Sequence, residues 1–88
     1  MGKIKAVVKL TWVPPSDGGR TRPPTGPRYS TVASFENQEP WSLVLEVAGP
    51  NMYTAWFLSE KAPVHLLESG VKFKLQEGSR IVAYGEVT

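Results

Sequence analysis

The stretch Gly70-Val71-Lys72-Phe73-Lys74-Leu75-Gln76-Glu77-Gly78-Ser79-Arg80-Ile81-Val82-Ala83-Tyr84-Gly85-Glu86-Val87 decides the fold. Val71, Phe73 and Leu75 alternate with Lys72, Lys74 and Gln76, the period-2 pattern of a strand with one buried face. The run after Ser79 repeats the pattern less cleanly. Between them, Glu77-Gly78 places a glycine where a short hairpin loop must visit positive φ. The two runs therefore read as a β-hairpin.

Working outward, the same alternation recurs along most of the chain. From Lys3 to Val13, the residues Ile4, Ala6, Val8, Leu10 and Trp12 share one face, and Lys3, Lys5, Lys9 and Thr11 share the other. Tyr29, Thr31, Ala33 and Phe35 alternate with Ser30, Val32 and Ser34, and Asn37-Gln38-Glu39-Pro40 then makes a turn. Trp41, Leu43, Leu45 and Val47 form the next apolar face, closed by the turn Ala48-Gly49-Pro50-Asn51. Met52 to Leu58 is apolar on nearly both sides, as expected of a strand covered by neighbours or carrying an interface on its outer face. Between Ser59 and Ser69, Pro63 argues for a connection, while Val64-His65-Leu66-Leu67 fits a short strand or one helical turn.

The main interruption is Pro14 to Arg28, with five prolines, three glycines and three arginines, a density that a helix or central strand does not survive. Loops this long in small domains are typically binding loops or disordered segments. No periodic helical segment of useful length is present. Five to six or more strands separated by turns predict an all-β antiparallel barrel or sandwich.

Length and composition set the limits. Eighty-eight residues make a single domain, and 41% apolar residues suffice for a real core. No apolar run approaches the ~18 residues of a bilayer span, and the first ten residues alternate Lys with apolar residues instead of forming a signal peptide. The expectation is a soluble, cytoplasmic domain without membrane partners. The absence of Cys removes disulfide, zinc-thiolate and redox chemistry together.

Charge is unevenly spread. Six basic residues (Lys3, Lys5, Lys9, Arg20, Arg22, Arg28) face the single acid Asp17 up to position 28, whereas four basic residues face seven glutamates from Tyr29 onward. The basic portion is the candidate polyanion-binding region. The lysine row equally suits protection of an edge strand.

A catalytic constellation is hard to assemble. His65 and Asp17 are the only residues of their types, and no nucleophile motif accompanies them. No metal-ligand spacing occurs, and Gly18-Gly19 lacks the Lys-Ser/Thr of a P-loop. The reading is a non-enzyme without cofactor or metal. What remains suits binding: Arg20, Arg22 and Arg28 offer planar forks for phosphate or carboxylate. Tyr29, Trp41, Tyr53, Trp56 and Tyr84 are stacking surfaces if they face outward and core if they face inward, whereas Trp12 and Phe73 sit on clean apolar faces and belong to the core.

With these elements placed, the chain resembles the third, C-terminal β-barrel domain of translation elongation factor Tu. The family has an aromatic, two residues, Arg-Glu-Gly, a short turn and a Val/Ile-Gly-x-Gly-Val-like strand. Here the corresponding run is Phe73 to Val87, with Glu77-Gly78 at the turn. The family's Gly-Gly-Arg followed by Thr and Pro resembles Gly18-Gly19-Arg20-Thr21-Arg22-Pro23-Pro24, and its later Gly-x-Arg resembles Gly26-Pro27-Arg28. Between Asn37 and Ser69 the match is of strand pattern alone. The resemblance implies a closed six-stranded antiparallel Greek-key barrel spanning residues 1–88, with the Pro/Gly/Arg-rich loop at 14–28.

In the elongation factor this domain packs on a second barrel and a GTPase domain, contacts the T stem of aminoacyl-tRNA and takes part in exchange-factor binding. The family's Glu-Gly tRNA contact carries over to Glu77 and Gly78. The chain departs at Gln76, where the family has Arg, and at Arg28-Tyr29-Ser30-Thr31, where it has an Arg-Pro-Gln-aromatic run. Two functions stay open. One is a module binding structured RNA, such as tRNA, through Lys3, Lys5, Lys9, Arg20, Arg22, Arg28, Glu77 and Gly78. The other is a protein-interaction module, a regulator or immunity-type inhibitor, that docks a translation-related or other protein on the barrel surface.

Overall fold

A computed structural model describes residues 4–18 and 26–88. Six strands account for most of them: β1 (Ala6–Trp12), β2 (Arg28–Phe35), β3 (Trp41–Gly49), β4 (Met52–Phe57), β5 (Lys72–Glu77) and β6 (Arg80–Val87). They close into an antiparallel barrel in the order β1-β4-β3-β2-β5-β6. The expected hairpin is β5–β6, with Gly78 at φ 64° in its turn. Tight turns also place Asn37 at φ 59° and Asn51 at φ 57°, left-handed values that asparagine tolerates better than other side chains.

Closure comes from β1, which pairs with β4 on one side and β6 on the other, in registers that include Ala6↔Ala55 and Leu10↔Gly85. Each strand thus spends its backbone donors and acceptors on two neighbours, and no sheet edge remains.

The core follows the alternation read from sequence. Val8, Leu10, Leu43, Leu45, Leu75 and Val82 are the largest fully buried side chains. Below them Phe35 lies against Phe57 and Phe73, at centroid distances of 5.8 and 5.5 Å. Above them Trp12 meets Tyr29 at 6.1 Å and Tyr53 at 6.4 Å and plugs the barrel end that carries the β5–β6 turn. Leu66 and Leu67 are buried on a single 3₁₀ turn, Val64–Leu67, and pack into the core cluster. The ambiguous Ser59–Ser69 stretch therefore contains one helical turn. A second such turn, Pro15–Asp17, places proline at its start, where the missing N–H costs nothing.

Two sequence readings need correction. Val47, expected on the apolar face of β3, is 55% exposed at the last regularly paired position before the β3–β4 register shifts between Val47 and Gly49. Ile4 precedes β1 and is 57% exposed, so the strand begins at Ala6, three residues later than its alternation suggested.

Phe73 and Gly85 face one another across β5 and β6. The Phe73 ring fills the space that a Cβ at position 85 would occupy. Gly85→Ala is therefore expected to displace the ring and destabilise the barrel by about 1–3 kcal/mol, the usual cost of overpacking. Urea unfolding of the single variant, and of Gly85→Ala combined with Phe73→Leu, checks this: the second change is expected to recover part of the loss.

Candidate nucleic-acid interface

The residues singled out from sequence fall in three places, with Lys3, Arg20 and Arg22 outside the described residues. The first place is the outer face of β1, β4, β3 and β2. Here Lys5 Nζ lies 4.6 Å and the Arg28 guanidinium 5.3 Å from the Trp56 ring centroid. Trp56 points out of the barrel yet is only 7% exposed, and Val44, its register partner, is 6% exposed. Two long cationic side chains laid over the ring account for this burial, since their alkyl stems cover apolar surface while their charges stay wet. Arg28 Nη2 also donates to Glu46 Oε2 at 2.9 Å, between residues in direct register on β2 and β3. That pair is exposed and contributes at most about 1 kcal/mol.

The second place is the barrel end bearing the β5–β6 turn. The Tyr29 hydroxyl donates to Glu77, and the Thr31 hydroxyl donates to the Gln76 carbonyl. Arg80 Nη2 stands 3.7 Å from the other Glu77 carboxylate oxygen. Glu77 and Gly78 are thereby tied to the start of β2, although 48 residues separate Tyr29 from Glu77. Gly26, Pro27 and Arg28 enter β2 at this same end, and the Pro27 carbonyl accepts from the Val47 N–H at 3.0 Å.

The third place holds Lys9 and was only partly visible in the sequence. On the outer surface of β1, β6, β5 and β2 lies a concavity of about 740 Å³, lined among others by Lys9, Thr11, Lys72, Lys74, Tyr84 and Glu86. Register explains its composition. Lys9 and Lys72 flank Glu86, while Thr11 and Lys74 flank Tyr84, with Ser34 beyond Lys74. Lys72 and Lys74 were legible as the polar face of their strand. Only strand order shows that this face continues into that of Lys9.

The aromatic set divides. Tyr29, Tyr53 and Trp41 pack against the core, as does Trp12. Trp56 is outward but covered, and Tyr84 is outward and 50% exposed. Of the aromatics considered for stacking, Tyr84 is thus the one whose ring is open to a ligand. Among the described residues no group of three or more His, Asp or Glu lies close enough to hold a metal ion, and no helix is long and apolar enough to cross a membrane.

No protein-family model matches the chain, and no curated protein matches it.

Tyr29→Phe is expected to destabilise the barrel by about 1–3 kcal/mol, since it removes a part-buried donor from a charged acceptor. Thermal unfolding followed by circular dichroism reads this directly. The effect should shrink in a Glu77→Gln background, where the acceptor no longer carries charge.

Proposed function

We propose that this barrel is a non-catalytic binding module, built like the third domain of elongation factor Tu, that binds structured RNA of the tRNA class. The observation carrying this reading is the convergence of two separated motifs at one end of the barrel. Gly26-Pro27-Arg28 and Glu77-Gly78, far apart in sequence, are joined there by the Tyr29–Glu77 hydrogen bond. These are also segments on which the family resemblance rests. Arg28 lies over the Trp56 ring and makes an exposed ion pair with Glu46, an attachment weak enough for a phosphate to replace. The basic segment that carries Arg20 and Arg22 adds the charge needed for phosphate contacts.

A second reading is supported by a different surface. Val44 and Trp56 sit outside the barrel, and Leu58 beside them in the sheet is 56% exposed. Val7 and Val32 extend the same outer face. This face suits a protein partner better than a polyanion.

Titration of labelled bulk tRNA at ~50 mM salt tests the first reading. Binding is expected, with affinity falling steeply as salt rises and the slope decreasing by about 2–3 in the triple variant Arg20→Ala, Arg22→Ala, Arg28→Ala. Absence of binding, or an unchanged slope in the triple variant, removes RNA as the partner of this end. Leu58→Glu separates the second reading, because it should abolish capture of a protein partner and leave tRNA affinity unchanged.

A further inference from the structure

The concavity on β1, β6, β5 and β2 lies on the opposite flank of the barrel from Trp56, and its side chains are not explained by packing. Leu10, Phe73, Leu75 and Ala83 turn inward and are buried. Their neighbours Lys9, Thr11, Lys72, Lys74, Tyr84 and Glu86 turn outward and line the hollow. Tyr84 is the informative member. Its ring is half-exposed in a concave surface, in register between Thr11 and Lys74, and among the described residues no ring or cation stacks on it.

We infer that this groove is a single-stranded RNA site in which an unpaired base stacks on Tyr84 and Lys9, Lys72 and Lys74 take the flanking phosphates. A base inside a duplex already has both faces stacked, so a lone aromatic platform selects an unpaired nucleotide. The lysines supply positive charge on both sides of that platform. Lys74 is in register with Tyr84 itself, while Lys9 and Lys72 flank Glu86 in the adjacent row. Glu36 and Glu86 also line the hollow, so its net charge stays modestly positive, and a carboxylate is at hand for an exocyclic amino group. Size agrees as well: about 740 Å³ lies within the range of small-ligand sites. The inference rests on the RNA reading for the chemical class of the partner, and it assigns a surface separate from the Arg28–Glu77 end.

Fluorescence anisotropy with two probes tests it: an eight-nucleotide oligoadenylate and a blunt RNA hairpin closed by a non-nucleotide linker, which has no unpaired base. The wild-type barrel should bind the oligoadenylate. Tyr84→Ala should weaken that binding about 5- to 150-fold while leaving the hairpin unaffected. Tyr84→Phe should bind as the wild type does, because stacking needs the ring and not the hydroxyl. Lys72→Gln with Lys74→Gln should lower the salt slope for the oligoadenylate by about 1.4. Circular dichroism of each variant establishes that the barrel is folded. An oligoadenylate that does not bind, or a folded Tyr84→Ala variant with wild-type affinity, overturns the groove. A hairpin that binds while the oligoadenylate does not leaves the Arg28–Glu77 reading standing alone. Tyr84-dependent binding of the oligoadenylate with no hairpin binding leaves only the groove.

Discussion

The contact between the Phe73 ring and the bare Cα of Gly85 sets the geometry that the rest of the barrel follows. Cross-strand partners normally spread their side chains apart, but here one partner has none and the other folds across the gap. The ring can then reach Phe35, which in turn touches Phe57, so that three strands share one aromatic layer. Such pairs contribute roughly 0.5–1.5 kcal/mol each beyond the area they bury. Since the Phe73 ring points inward and Gly85 has no side chain, the outer surface above them is backbone flanked by Lys72 and Lys74, and the groove lies there.

Charge on this barrel is partitioned by the sheet and not pooled. Lys5 and Lys9 alternate to the same outer side of β1, yet one lies across the β4 side over Trp56 and the other borders the β6 side. Arg28 joins the Trp56 group, and Glu77 turns toward Tyr29 and Arg80. Basic residues that look contiguous in the sequence, Lys5, Lys9 and Arg28, therefore serve two surfaces with different neighbours. Among the described residues only the groove combines several lysines with an open aromatic ring.

Strand patterning carried most of the architecture. Alternation in Lys72–Leu75 and in Ala6–Trp12 foretold which side chains fill the core, because a half-buried strand leaves little choice of face. Alternation failed at Val47, which is exposed at the end of the regular β3–β4 pairing although Leu43 and Leu45 on the same face are buried. It was also silent about closure order. The groove depends on β1 lying beside β6, and β6 beside β5, which no local pattern encodes. For the same reason Trp56 was legible as a residue on a two-sided apolar strand, whereas its cover by Lys5 and Arg28 required knowing what stands opposite it.

The pairing of β1 with β6 carries a consequence for how the chain acquires its structure. Val8 lies opposite Val87, and the Thr88 N–H reaches the Val7 carbonyl at 3.0 Å, so the earliest strand is completed by the latest. Contacts of such long sequence separation are entropically expensive to make and slow to form. During synthesis β2, β3 and β4 can pair locally as a meander, but β1 has only half of its partners until β6 has left the ribosome. In that interval its unpaired side is an edge open to association with other chains, and lysines such as Lys9 on it are the kind of charge that opposes such pairing.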